Sequence, residues 1–314
     1  MSSTSMRLAT FDRYGPPEVL SVTTGPVPRP RAGEVLVRVR AVSVNGGELA
    51  LRAGRLRPFS GKRFPKGVGI DLVGEVVTAS GRFAAGDLVW GLFGRRAGSA
   101  AEYAAVRADR LDHVPAGLDA VQAAALPAGT TAITALRDVA ALAPGERLLV
   151  RGATGGVGYV AVQLGKAMGA HVTGLAGAHN LDLAKELGAD DVLDYRAPGD
   201  LGRFDVVLDT VGTDLPALRR LLTPRGRVVT IAFDLDHPVR SLAYIAAHSV
   251  HRRRWVRAFS GNPTAPLFAE LGRWVTSGAI RPQVDRVFPL EQIAGAHRAL
   301  EQGGVRGKIV VRID

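Results

Sequence analysis

The sequence predicts an α/β protein in which a doubly wound parallel sheet is joined to a separate β-rich region. Three observations predict it. The first 115 residues are turn-rich and strand-like, a regular strand–helix alternation follows Pro115, and a glycine-rich turn sits at the first strand–helix junction of that alternation. At roughly 150 residues per domain, a chain of 314 residues makes two domains.

In the first region, Glu34 to Val44 alternates β-branched with other residues, the pattern of a half-buried strand. Val68 to Val77 and Asp87 to Phe93 read similarly, and Pro/Gly clusters at 15–17, 25–33 and 58–69 separate the strands. From Asp119 to Ala143 the chain is Ala/Leu-rich and helical, with a break at Pro127. Strands are then expected at Arg147–Arg151, His171–Leu175, Asp191–Tyr195, Phe204–Thr210 and Arg227–Ala232. Helices are expected at Val157–Met168 and Leu181–Leu187. This alternation means βαβ units and a sheet covered on both faces. The tail carries amphipathic helices at Leu267–Ser277 and Glu291–Gln302 and a closing strand at Lys308–Ile313.

Composition narrows the function. The chain is 46% hydrophobic and 22% charged, enough apolar content to bury sizeable cores. It has no cysteine, which excludes disulfides, iron–sulfur clusters, thiolate zinc sites and cysteine nucleophiles. The net charge is +11, yet 35 of the 40 basic residues are arginines spread along the chain, and only Arg252, Arg253 and Arg254 cluster. Such a spread reflects arginine-favouring codons rather than a nucleic-acid stripe, so no nucleic-acid partner is expected. Met1 to Ala9 has no apolar core of a signal peptide, and no 18-residue uncharged apolar run occurs. No membrane association and a cytoplasmic location are therefore expected.

The sharpest signal is RGATGGVGY, Arg151 to Tyr159. It reads as a dinucleotide fingerprint, Ala153-x-Gly155-x-x-Gly158, with Ala in place of the first Gly. A strand precedes it and a helix follows, the context such a turn requires. Gly155 lets the backbone approach a pyrophosphate and Gly158 allows close helix–strand packing. Thr154, Gly156 and Val157 complete the turn, whose free N–H groups offer partial positive charge to phosphate. An acid about 20 residues further on would bind the ribose hydroxyls and repel a 2′-phosphate. Leu175 to Asn180 contains none, while His179 and Tyr195 can donate to a phosphate. NADPH is therefore expected over NADH.

These residues, with LAKELGADDVLDY and FDVVLDTVG further on, resemble the medium-chain dehydrogenase/reductase superfamily. Within it the chain looks like the zinc-free quinone oxidoreductase, ζ-crystallin-like branch. Tyr14 to Leu20, Val44-Asn45, Arg52-Ala53-Gly54, Gly69 to Val76, Val287 to Leu290, Ala296 to Leu300 and Gly307 to Val310 carry the resemblance along the chain. It implies a GroES-like catalytic domain, residues 1–120 with 262–314, and an inserted Rossmann domain, 121–261, with the cofactor in the cleft and a homodimer paired near Arg254 to Phe259. Where the zinc-dependent branch holds its metal, this chain has Asn45-Gly46-Gly47-Glu48 and Gly69-Ile70-Asp71, without Cys or His. His248 and His251 are three apart but lack a third ligand, so no metal is expected.

Without zinc, the expected chemistry is hydride delivery to a quinone or α,β-unsaturated carbonyl, with hydrogen bonds to the developing oxyanion. Asn45 matches the family asparagine near nicotinamide and substrate, where its amide orients either; otherwise it caps a helix. Some relatives carry a Tyr five residues on, where this chain has Ala50, which leaves Glu48 and Arg52 as candidate catalytic groups unless they are structural charges. A structural role is expected for Asp71, and packing for Tyr103. The resemblance places Thr130, Phe233 and Phe259 beside the cofactor, with Lys308 either reaching it or lying on the surface. An enoyl or ketone reductase of specialised metabolism, and a non-catalytic NADPH-binding protein of the crystallin kind, are the alternatives.

Overall fold

The computed structural model describes residues 4–57, 60–93, 97–250 and 253–314. The chain forms two compact units, Met1–Pro127 with Asn262–Thr276 and Pro282–Asp314, and Ala128–Gly261 with Ser277–Arg281. The return at 261/262 falls where it was expected, while the first crossing lies seven residues later and Ser277–Arg281 go to the second unit. The helix Ala120–Ala124 packs on strands of the first unit, and Gln163 bonds both the N–H and the carbonyl of Arg281 in the second.

The first unit starts with β1 (Ser5–Phe11), β2 (Leu20–Pro26), β3 (Glu34–Ser43), helix α1 (Gly46–Arg52) and the short β4 (Lys66–Gly67). There follow β5 (Asp71–Val76), β6 (Leu88–Leu92), β7 (Tyr103–Arg107), β8 (Leu111–His113) and α2 (Ala120–Ala124). On β3 the alternation is realised, with Val35, Val37 and Val39 fully buried. Asp119 and Gln122 close a reciprocal capping box on α2. The expected strand at 68–77 begins only at Asp71, because the chain turns at Gly69 with φ +88°. A Cβ there would lie 2.4 Å from Ser99 Oγ and 2.5 Å from Ala100 N, so the turn needs glycine.

The second unit contains α3 (Gly129–Ile133), which continues as a wider π-type turn over Thr134–Val139, then β9 (Arg147–Arg151) and α4 (Gly158–Ala167). After these come β10 (His171–Ala176), α5 (Leu181–Glu186), β11 (Asp191–Asp194), β12 (Phe204–Asp209), α6 (Leu215–Arg220), β13 (Leu222–Thr230), α7 (Pro238–Ser249) and β14 (Trp255–Ala258). Its sheet has the order β11-β10-β9-β12-β13-β14, all parallel. The order reverses between β9 and β12, the switch point beyond whose carboxyl ends ligands bind in open α/β sheets. Leu148, Leu149 and Val150 are fully buried, as a strand covered on both faces requires.

The chain then returns to the first unit through α8 (Ala265–Thr276), β15 (Val284–Pro289), α9 (Ile293–Glu301) and β16 (Lys308–Arg312). β16 pairs antiparallel with β3 inside a sheet of order β15-β16-β3-β5-β6-β8, and β7 also pairs β3. Three helices, α1, α6 and α7, were not expected. Strand β13 also starts five residues before the expected Arg227, because an irregularity opposite Phe204–Val206 admits Pro224 and Gly226 into the strand. Among the described residues no helix is long and apolar enough to cross a membrane.

Candidate functional site

In the first unit, the end of β3, the start of α1, the turn into β5 and the start of β16 converge on the Asn45 side chain. Asn45 Nδ2 donates to Glu48 Oε1 and to Asp71 Oδ2, both at 2.9 Å. Its Oδ1 accepts from Lys308 Nζ at 2.6 Å, and the same ammonium reaches Val44 O at 3.2 Å. Asp71 also accepts from Ser43 N (2.7 Å) and Ser43 Oγ (2.5 Å). Glu48 Oε2 accepts from Gly69 N at 2.8 Å. Ser43, Glu48, Asp71 and Lys308 are all buried, and Asn45 is half-buried.

Burial without full charge compensation sets the protonation of this cluster. Burial, then the charge of Asp71, push Glu48 up to about 7. Burial lowers Lys308 from its ordinary value, against the opposing charges of Asp71 and Glu48. Glu48 therefore exchanges a proton near neutral pH within hydrogen-bond distance of the Asn45 amide.

Behind Glu48 lies a cavity of about 10 Å³, lined by Glu48, Arg52 and His297 among others and large enough for about one water. Arg52 is 1% exposed; its guanidinium donates to Gly15 O and to Glu301. Arg52 Nε and both ring nitrogens of His297 are buried without a protein partner. Burial, then the Arg52 charge, hold His297 down to about 3, so it is neutral.

In the second unit the glycine-rich turn is built as the fingerprint requires. Gly152 N and Ala153 N donate to Leu175 O, Gly155 N donates to Gly152 O, and α4 begins at Gly158. A Cβ on Gly158 would lie 1.9 Å from Gly152 O, so only glycine lets the helix start this close to the strand. Thr154 is buried, and its Oγ1 accepts from Asn180 Nδ2 at 3.2 Å, tying the turn to the loop after β10. That loop exposes Ala178 and His179 and holds no acid. Tyr195, 53% exposed, follows β11 alongside Gly177, with the Arg196 guanidinium 5.2 Å from its ring centre. Across from Ala176, Asp194 Oδ1 accepts from Arg196 N. This open glycine cradle at a helix start, with no side chain filling it, fits a dinucleotide pyrophosphate.

The expected site residues fall into groups. Thr154, Gly155, Gly156, Val157, Gly158, His179, Tyr195, Phe233 and Phe259 follow the carboxyl ends of β9, β10, β11, β13 and β14, one edge of one sheet. Ala153 is fully buried at the root of the turn, and Thr130 is buried on α3, which packs against α4. In the first unit, Asn45, Glu48 and Lys308 come together. Three expectations need correction. Arg52 points away from Asn45 into a closed ion pair and has no surface to offer a substrate. Glu48, 4% exposed, and Lys308, 3% exposed, are both bonded to the Asn45 amide and have almost no surface of their own. Asn45 stands at the N-cap of α1 without a side-chain cap bond, and its amide nitrogen donates to Glu48, Asp71 and Ser43 O, so its free capacity is as an acceptor.

Reasoning from the sequence missed His297 and Ser43. It also missed the buried pair Arg151–Asp209 (3.2 Å) at the ends of β9 and β12, where Asp209 is raised by burial against the Arg151 charge. Only the Arg at 151, unusual at the end of a buried strand, signalled that pair. Among the described residues no three His, Cys, Asp or Glu side chains are grouped to hold a metal. His251 and Arg252 lie outside the described residues, and with them the expectations placed on those positions.

The sheet order and the glycine cradle define a dinucleotide-binding protein. Residues 31–116 match the alcohol dehydrogenase GroES-like domain family, and residues 187–311 the zinc-binding dehydrogenase family. A chloroplastic quinone-oxidoreductase of Triphysaria versicolor is 37% identical, covering 99% of both chains. The mitochondrial NAD(P)H oxidoreductase RTN4IP1 of Mus musculus is 32% identical over 99% of this chain and 90% of its own. The solved quinone oxidoreductase of Coxiella burnetii superimposes with a TM-score of 0.88 at 30% identity, covering 99% of this chain and 100% of its own. The chain belongs to the medium-chain dehydrogenase/reductase superfamily, in its quinone oxidoreductase branch. The expectation of a cytoplasmic location does not stand, since these curated relatives are organellar. Location is read from a targeting address by a receptor and not from the fold, so the composition of Met1 to Ala9 carried no information about it.

The two buried titrating groups give opposite pH dependences of stability. Glu48 stands above its ordinary value of 4.5, so its contribution is complete below about 4.5 and is lost as pH rises through about 7. His297 stands below its ordinary 6.5, so its contribution is complete above about 6.5 and is lost as pH falls towards about 3. Melting temperatures followed between pH 4 and 8 should lose their alkaline decline in Glu48→Gln and part of their acid decline in His297→Leu. Parallel curves for wild type and both variants would refute these assignments.

Proposed function

We propose that this protein is an NADPH-dependent reductase that delivers hydride to a quinone or an α,β-unsaturated carbonyl without a metal ion. The glycine cradle between β9 and α4 carries the reading: its N–H groups and the start of α4 hold the pyrophosphate. Bound there, NADPH supplies the hydride from nicotinamide C4, and with one proton from solvent a quinone becomes a hydroquinone. The exposed His179, Tyr195 and Arg196, with no acid in the loop after β10, favour the 2′-phosphate of NADPH. Arg151 fixes the turn after β12 by donating to Asp209 and to the carbonyl and hydroxyl of Thr213.

In the first unit, Asn45 offers its Oδ1 lone pair to a donor of the bound molecules. The Asn45–Glu48–Asp71–Lys308 set supports a metal-free reading on its own chemistry, since the Asn45 amide, the Ser43 and Gly69 N–H groups and the Ser43 hydroxyl already occupy the carboxylates, with the Lys308 charge close by. Quinones and conjugated enones suit this arrangement, because their electrophilic carbon needs less Lewis-acid help than an isolated ketone. A homodimer belongs to the same reading: β14 has a neighbour on one side only, and next to it α7 exposes Val239 and Leu242.

NADPH consumption with a panel of quinones and enones tests the activity, with rates unchanged after dialysis against a chelator. Tight NADPH binding without turnover on any of them would indicate a non-catalytic protein. Ala178→Asp should weaken NADPH binding roughly tenfold, about 1.4 kcal/mol of charge repulsion, and NADH binding little. Equal losses in both dissociation constants would refute the role of the strand end. Sedimentation should give twice the 33.1 kDa chain mass, and a single-chain mass at micromolar concentration would refute the dimer.

A further inference from the structure

We propose that Lys308 is a positioning residue of the reaction, locking the Asn45 amide in one orientation from the far end of the chain. The proposal rests on the oxidoreductase reading above, and it concerns how the amide is held rather than what it meets.

A carboxamide swung through a half-turn occupies nearly the same space, so shape alone does not choose between its two orientations. Its partners choose here. An ammonium only donates and therefore faces Oδ1; Asp71 Oδ2 and the Ser43 carbonyl (3.1 Å) accept and therefore face Nδ2, as Glu48 Oε1 does when ionised. Lys308 stands on one side at 2.6 Å, and Glu48 and Asp71 on the other at 2.9 Å each. Swinging the amide would set its NH₂ against the ammonium and its carbonyl against two carboxylate oxygens at once. Lys308 is the only one of the three that engages the oxygen end, the end left with a lone pair for a bound molecule.

The backbone delivers Lys308 to this place without freedom to wander. Pairing of β16 with β3 sets Val310 opposite Ser43, and Val44 N donates to Ile309 O at 3.0 Å. Continuing that register by two residues on each strand puts Lys308 opposite Asn45. The side chain is 3% exposed, and its ammonium is further held by Val44 O. A buried lysine is costly to maintain, so a surface role is excluded and two roles remain. It either balances the charge of two buried carboxylates, or it orients the amide.

Charge and orientation are separable. Lys308→Met removes both, and Lys308→Met with Glu48→Gln restores the charge count while leaving Oδ1 without its donor. Orientation can be read directly in the substrate-free, cofactor-free protein. The chain has only three asparagines, at 45, 180 and 262, so selective ¹⁵N-asparagine labelling gives assignable side-chain NH₂ signals. In Lys308→Met the Asn45 pair should shift or broaden through exchange between orientations, and the double variant should show the same. Turnover should fall about 100-fold, the cost of a misplaced group at a reacting centre, with the NADPH dissociation constant within about threefold of wild type. The double variant should regain melting temperature and not turnover. An unchanged Asn45 signal in Lys308→Met, or a double variant that regains turnover together with stability, would overturn the proposal. Absence of turnover in the wild-type protein would instead count against the oxidoreductase reading, and the amide signals of the cofactor-free protein would still decide the place of Lys308.

Discussion

The pairing of β16 with β3 is the interaction on which the first unit depends. It joins residues 310–312 to residues 41–43 and so ties the returning pair β15 and β16 into a sheet whose other strands come from the first 113 residues. The apolar payload is large: Ile309, Val310 and Val311 are all buried, and at roughly 1.5–3 kcal/mol for each fully buried side chain the strand is held firmly. Because side chains alternate across a strand, the same register that buries these residues fixes where Lys308 points. The functional cluster is thus a by-product of core packing in one sense and wholly determined by it in another.

Each member of that cluster needs the others. A buried ammonium without acceptors, or two buried carboxylates without donors, would cost several kcal/mol. Asn45 lets one small side chain serve both signs, with its oxygen towards Lys308 and its nitrogen towards Glu48 and Asp71. Gly69 contributes from a positive-φ turn that places its N–H on Glu48, and Ser43 adds two donors to Asp71. Satisfied in this way, a polar network specifies one arrangement where an apolar core of the same volume would tolerate several. The second unit repeats the principle at its own ligand edge. There Asp209 is paired with Arg151 and also takes the N–H groups of Val211 and Gly212 and the hydroxyl of Thr230.

Much of this was legible in the sequence, and the boundary has physical causes. The β–α alternation from Arg147 to Phe204 announced itself because buried parallel strands are continuous apolar runs and the glycine turn is a local steric necessity. The capping pair Asp119 and Gln122 is local too. Helix α7 was hidden by exposed Val239 and Leu242, which blur the polar side of the helical period. Lys308 could be read equally as a surface lysine because its partner lies 263 residues away, and no local pattern encodes that distance. For Glu48 and Arg52 the sequence offered two acceptable catalytic side chains. Burial, a property of the folded sheet and not of the motif, leaves one bonded to Asn45 and the other to Gly15 and Glu301.

The absence of cysteine acquires its meaning at the same cluster. In the stretches that the family resemblance assigns to the metal ligands of zinc-dependent relatives, this chain carries two carboxylates and an amide, and Lys308 joins them from β16. A metal ion there would supply a fixed positive charge near the reacting centre. Lys308 supplies one as well, but as a compact charge delivered through an amide oxygen rather than as a Lewis acid open to substrate. A charge delivered in that way orients and polarises; it does not bind a carbonyl oxygen directly. Substrates that already carry an electron-poor carbon, such as quinones and conjugated enones, are the ones for which orientation is enough. The reaction class proposed for this protein therefore follows from which cation the fold buries, and from how little of that cation it exposes.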